Sequence, residues 1–114
     1  MMRELQTAAA AARDKHALDP VGLEVKEICS FTDYFLILSG ANPRQVQAIS
    51  DEIELRLKRG GLRPSHIEGY NHAEWILMDY VDFVVHIFSV KARLYYDLER
   101  LWRVAPRVRL EEAG

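Results

Sequence analysis

The sequence predicts one α/β domain, a mixed five-stranded sheet with three helices in the order α-β-β-α-β-β-β-α. Three observations carry that expectation. Apolar residues recur at helical spacing around residues 2–17, 42–60 and 91–104. Short β-branched and aromatic runs, bounded by Gly, Pro and Asp, lie between them. The two kinds of segment interleave, so the helices cover a sheet instead of forming a bundle of their own. At 114 residues the chain is long enough for one core and one domain. That domain is expected over residues 1–108, with residues 109–114 as a flexible tail.

Each element has a local reason. Residues 2–17 contain an unbroken alanine run at positions 8–12, which favours helix intrinsically. Their apolar face is thin, so loose packing at one edge is expected. Pro20 stops this helix, and Asp19 before it favours extended backbone. Residues 22–28 alternate enough for a half-exposed strand, and a turn at 30–33 follows. Residues 34–39 (Y-F-L-I-L-S) form a continuous apolar run, which suits a strand covered on both faces. Asn42 is a good N-cap, Pro43 fits the first helical position, and Gly60-Gly61 fits the end. Between them Val46, Ile49, Ile53 and Leu57 repeat at helical spacing.

Residues 66–68 allow a short strand. Residues 74–80 and 82–89 are two strands so close that only an antiparallel hairpin joins them. Val81 stands where such a turn usually has Gly or Asn, so a non-standard or longer turn is expected. The last helix is expected over residues 91–104. Leu94, Leu98, Leu101 and Trp102 would be its apolar stripe, with Tyr95 beside it. Pro106 ends it, and a polar tail follows.

Composition excludes several classes. Hydrophobic residues make up 49% and charged residues 28%, which does not fit a disordered chain. A net charge of −2 does not fit a general polyanion binder. The single cysteine, Cys29, excludes an intramolecular disulfide framework and a cysteine-built zinc site, and it favours a reducing compartment. No run approaches the ~18 apolar residues of a membrane span, and the first residues lack the apolar core of a signal peptide.

Chemistry concentrates on the hairpin. Pairing Asp79 with Asp82 puts Leu77 opposite Val84 and Trp75 opposite His86. One face then shows Trp75, Leu77, Asp79, Asp82, Val84 and His86. The other shows Ile76, Met78, Tyr80, Phe83, Val85 and Ile87, and is the better core face. Residues 64–90 hold Glu68, Glu74, Asp79 and Asp82 and no Lys or Arg, with Tyr70, Trp75 and Tyr80 among them. Aromatic anchors inside a charged rim make a protein interface, and an acidic one prefers a basic partner. The plainer alternative is that Trp75 is core and the carboxylates are a solvated edge. Asp79, Asp82 and His86 are too few and too irregularly spaced for a standard metal site, and His86 reads as a structural histidine beside Trp75. No base is suggested beside Cys29, and Ser39-Gly40 lacks the glycines and lysine of a phosphate loop. His16, His66 and His72 share no spacing and read as surface residues. The basic segment from Lys91 onward could touch RNA phosphate, and its plainer reading is a solvated helix face.

These residues also carry a family resemblance. Leu23-Glu24-Val25, Ser30-Phe31-Thr32-Asp33-Tyr34-Phe35, Ser39-Gly40 and Arg44-Gln45-Val46 resemble the ribosomal silencing factors, also called RsfS or Iojap. So do Glu68-Gly69, the stretch from Glu74 to Tyr80, the stretch from Asp82 to Phe88, and Leu94 to Trp102. The resemblance implies a non-enzymatic cytoplasmic factor without a cofactor. It would bind the large ribosomal subunit through its protein numbered fourteen and block joining of the small subunit, repressing translation when nutrients are short. It further implies a nucleotidyltransferase-like core and a possible homodimer, with RNA contact at most secondary and no membrane role. The partner surface carried over is Trp75 first, then Glu74, Leu77 and Asp79, with Asp82, His86 and Tyr70 nearby. The alternative is a nucleotidyltransferase-like enzyme using Asp79, Asp82 and His86, although the chain lacks the Gly-Ser and Asp-x-Asp pattern of such enzymes. Val81 and Pro20 depart from the family pattern, at the hairpin turn and at the entry to the first strand.

Overall fold

Strand β5 (Phe83–Ser89) is the axis of the protein, with a parallel neighbour on one side and an antiparallel one on the other. The computed structural model describes residues 2–111. The sheet has six strands, not five, in the order β3-β4-β5-β2-β1-β6. The others are β1 (Leu18–Glu24), β2 (Tyr34–Gly40), β3 (His66–Glu68), β4 (Trp75–Asp79) and β6 (Arg107–Val108). Among the described residues only β2 and β5 run parallel, and every other pairing is antiparallel. The helices are α1 (Met2–Asp14), α2 (Pro43–Arg59), α3 (Val90–Tyr96) and the single turn α4 (Leu98–Leu101). No helix among the described residues is long and apolar enough to cross a membrane.

Helix α2 forms as its caps dictate. The Asn42 side chain accepts from the Gln45 N–H at 2.8 Å, Pro43 opens the first turn, and Gly60 closes the last. Val46, Ile49, Ile53 and Leu57 are buried against Leu36, Leu38, Met78, Val85 and Ile87 of the sheet. Helix α1 departs from expectation. It ends at Asp14, and its thin face is fully buried: Leu5, Ala8, Ala9, Ala11 and Ala12 have no exposed surface. Small side chains let two helices approach closely, so the alanines fit where larger residues would collide. Arg56 of α2 ties the pair together by bonding both Asp14 and Glu52.

Strand β1 starts at Leu18, earlier than expected, and includes Pro20. The β1–β2 register slips between Leu18 and Val21, and proline is tolerated at such irregularities because it has no N–H to pair. Asp19, expected to be extended, has φ 46°. Arg93 secures this region: its guanidinium donates to the carbonyls of Leu18 and Asp19, to Ser39 Oγ and to Glu99.

The last helix is broken. Asp97 adopts φ 50° and ends α3 before α4 begins. The expected apolar stripe therefore does not form: Leu94 and Leu101 are 77% and 71% exposed. Only Leu98 and Trp102 of that stripe reach the core. Strand β6 lies in what reads as polar tail. It pairs with Gly22 and Leu23, and Arg109 and Glu111 are hydrogen-bonded to Gln6 and Arg13 of α1. Residues 112–114, the rest of the expected tail, lie outside the described residues.

Candidate functional site

Alternation along β4 puts Trp75, Leu77 and Asp79 on the sheet face opposite α1 and α2. Strand β5 adds Val84, His86 and Phe88, and β3 adds His66 and Glu68 opposite Asp79 and Leu77. The register differs from the expected one: Trp75 pairs with Phe88, Leu77 with His86 and Asp79 with Val84. The slip is two residues, so every side chain keeps its face. Asp79 and Asp82 are not opposite each other; Asp82 is exposed in the turn. In that turn Val81 has φ 73° and the Asp82 N–H bonds the Tyr80 carbonyl, the pattern of a γ-turn.

This face is covered on one half only. Over β1, β2 and β5, residues Ala92, Leu98, Trp102 and Ala105 pack on Leu23, Phe35, Ile37, Val84 and Phe88. Over β3 and β4 the face is open: His66 and Glu68 are exposed, and Trp75, Leu77 and Asp79 are half-buried. At its edge Gly69 has φ 81°, and a Cβ there would lie 2.1 Å from the Trp75 carbonyl oxygen. The start of β4 thus requires glycine at that position.

Trp75 is fixed from three sides. Its Nε1–H donates to His86 Nδ1 at 3.1 Å. Its ring lies 5.0 Å from that of Phe88 and 4.8 Å from that of Tyr96. His86 is buried and meets Phe35 edge-on at 4.7 Å. Burial disfavours the imidazolium and pushes its pKa down to about 4. The ring is therefore neutral at pH 7, with Nδ1 free to accept the indole proton. His86 Nε2 is also buried and has no hydrogen-bond partner.

Carboxylates lie along the same hairpin and its β3 neighbour. Asp79 Oδ1 accepts from the Val81 N–H at 2.8 Å, and Asp79 Oδ2 lies 3.8 Å from His66 Nδ1. His66 Nε2 lies 3.9 Å from Glu68. Glu74 accepts from Ser89 Oγ at 3.1 Å, next to the start of α3. Tyr70 is not in this group. Its hydroxyl donates to Asp51 of α2, and its ring packs with the core on the other side of the sheet. No three His, Cys, Asp or Glu side chains among the described residues are grouped to hold a metal ion. Sequence reasoning missed Phe88 and Tyr96 as the rings that hold Trp75 and His66 as a neighbour of Asp79; it counted Glu68 among the acids of this surface but did not place it opposite Leu77. The β3–β4 register that aligns His66 and Glu68 with Asp79 and Leu77 leaves no local trace in the sequence.

The family model described as "ribosomal silencing factor during starvation" matches residues 1–114. The chain belongs to the RsfS family. Ribosomal silencing factor RsfS of Halalkalibacterium halodurans is 44% identical over 107 residues, covering 94% of this chain and 92% of that protein. The RsfS of Bacillus subtilis is 43% identical over the same length, covering 94% and 91%. A crystal structure of a Bacillus halodurans protein superposes with a TM-score of 0.85 at 41% identity, covering 96% of this chain and all of that one. Six strands, a half-covered face and a clamped tryptophan are therefore the architecture of an RsfS family member.

Proposed function

We propose that the open face around Trp75 binds a basic protein of the large ribosomal subunit, the one numbered fourteen, and that the bound domain blocks the small subunit from joining. Translation then falls when nutrients are short. The protein does this in the cytoplasm, without catalysis or cofactor, and a homodimer using the same face would compete with ribosome binding. One observation carries the reading: Trp75 is an aromatic anchor held rigid by His86, half-exposed on a β3–β4 face that also carries Glu68 and Asp79, with Glu74 next to it in the chain. A preorganised aromatic centre with a charged rim is how protein interfaces concentrate affinity, and a rim of carboxylates favours a basic partner. Glu74, Leu77 and Asp79 contribute surface, Asp82 adds charge from the turn, and His86 acts from beneath by orienting the indole. The family to which the chain belongs supplies the ribosome as the target. A nucleotidyltransferase-like enzyme working through Asp79, Asp82 and His86 draws no support from the geometry. Asp79 caps a turn, Asp82 stands in that turn, and His86 is buried under Phe35.

Co-sedimentation with purified ribosomal subunits tests the proposal. The protein should travel with the large subunit and lower the yield of joined ribosomes, less so at higher salt. A protein that stays in the supernatant at every salt concentration overturns it.

A further inference from the structure

The acidic face ends at α3, and across Tyr96 the charge changes sign. A groove of about 600 Å³ lies between α3 and α4, lined by Leu94, Tyr95, Tyr96, Arg100, Leu101 and Arg103. Leu94 is 77% exposed, Tyr95 81% and Leu101 71%. Lys91 precedes Tyr95 by one helical turn and so shares its side of α3. Lys91, Arg100 and Arg103 are exposed and pair with no carboxylate among the described residues. The acids nearby do not cancel them. Glu99 is taken up by Arg93 at 2.8 Å, which leaves Asp97 as the carboxylate lining the groove.

We propose that this α3–α4 flank binds single-stranded RNA, with Tyr95 as the stacking platform and Lys91, Arg100 and Arg103 as the phosphate contacts. Two features select RNA over an acidic peptide. Tyr95 meets Tyr96 edge-on at 5.0 Å and is itself mostly exposed, so an aromatic surface is available to a base. The guanidinium groups flank apolar Leu94 and Leu101, combining forks for phosphate with a surface for rings. An acidic peptide would use the charges and leave the aromatic surface idle. With the carboxylate face on the other side of Tyr96, the protein presents two opposite chemistries side by side. One suits a basic protein and the other suits RNA. A ribosomal surface offers both, and in that respect the inference rests on the ribosome-binding reading.

The test uses the full chain and labelled oligo-U and oligo-A of about 12 nucleotides, a length set by typical single-strand site sizes, followed by fluorescence anisotropy. No ribosomal protein is present, so failure here leaves the protein contact untouched. Binding should weaken between about 50 and 200 mM salt with a logarithmic slope of about −2, as three phosphate contacts require. The double variant Arg100→Ala/Arg103→Ala should lose about tenfold or more in affinity and flatten that slope. Tyr95→Ala should lose about fivefold or more with the slope unchanged. All three side chains are exposed, and the charge-keeping pair Arg100→Lys/Arg103→Lys should retain most of the binding. No binding at low salt, binding unaffected in both Ala variants, or equal binding of poly-glutamate overturns the proposal.

Discussion

The indole N–H of Trp75 donates to Nδ1 of His86 at 3.1 Å, so the half-exposed ring of the open face is aimed by a residue that is itself buried. This bond assigns the histidine: Nδ1 carries the lone pair and Nε2 the proton. Protonation of Nδ1 would turn an acceptor into a donor facing a donor. Burial and this bond therefore demand the same neutral ring.

That demand sets a pH dependence. The ordinary histidine value is 6.5, and burial lowers that of His86 to about 4 in the folded protein. Between those values the unfolded chain binds more protons than the folded one, so stability rises with pH there. The contribution is complete above about pH 7 and is lost as pH falls through 6.5 towards 4. A loss of about 2 kcal/mol is expected between pH 7.5 and pH 5. Urea midpoints at the two pH values measure it, and His86→Phe should remove this part of the difference.

Trp75→Ala should weaken binding to the large subunit by about 2 kcal/mol or more, roughly 30-fold, if the indole is the anchor. Circular dichroism of the variant separates that loss from misfolding. Normal affinity in a folded variant would remove Trp75 from the interface.

Val81 holds a β-branched side chain at φ 73°, a region such residues avoid. Val81 is 60% exposed, so its side chain contributes little packing in return. Val81→Gly should therefore stabilise the protein by about 1 kcal/mol and raise the melting temperature by a few degrees. Differential scanning calorimetry gives the answer directly.

Arg93 joins α3 to β1, β2 and α4 through bonds to Leu18, Asp19, Ser39 and Glu99. Its side chain is only 12% exposed. Arg93→Ala leaves Glu99 and two carbonyls without their donor and should cost about 2–3 kcal/mol. Hydrogen exchange should show the loosening first at residues 18–20 and in α4.

Features set by neighbouring residues were legible in the sequence. Asn42, Pro43 and Gly60 bound α2, and the two faces of the hairpin sort correctly because alternation survives a two-residue slip. Features set by distant partners were not. Strand β6 is two residues long and exists because Gly22 and Leu23 offer it an edge. The helix breaks at Asp97 and Leu94 and Leu101 are exposed, whereas a stripe drawn through an unbroken helix puts them inside. Tyr70 sits near Trp75 in sequence, yet the turn at Gly69 sends it to the α2 side. Among the site residues, Trp75, Leu77 and Asp79 were readable because they share one strand. Glu68 was readable as an acid of this surface, but its place opposite Leu77, like that of His66 opposite Asp79, was not, because it depends on another strand.

Among the described residues the six strands divide into an antiparallel meander, β3-β4-β5, and an antiparallel trio, β2-β1-β6, whose last strand returns from far along the chain; the lone parallel seam between β2 and β5 stitches them. The strand residues of the candidate face, from His66 to Phe88, belong to that meander, a contiguous stretch of chain. Its hairpin contacts are local and quick to form, whereas the seam must close a long loop first. The candidate face can therefore take shape early in folding, before the seam that completes the sheet.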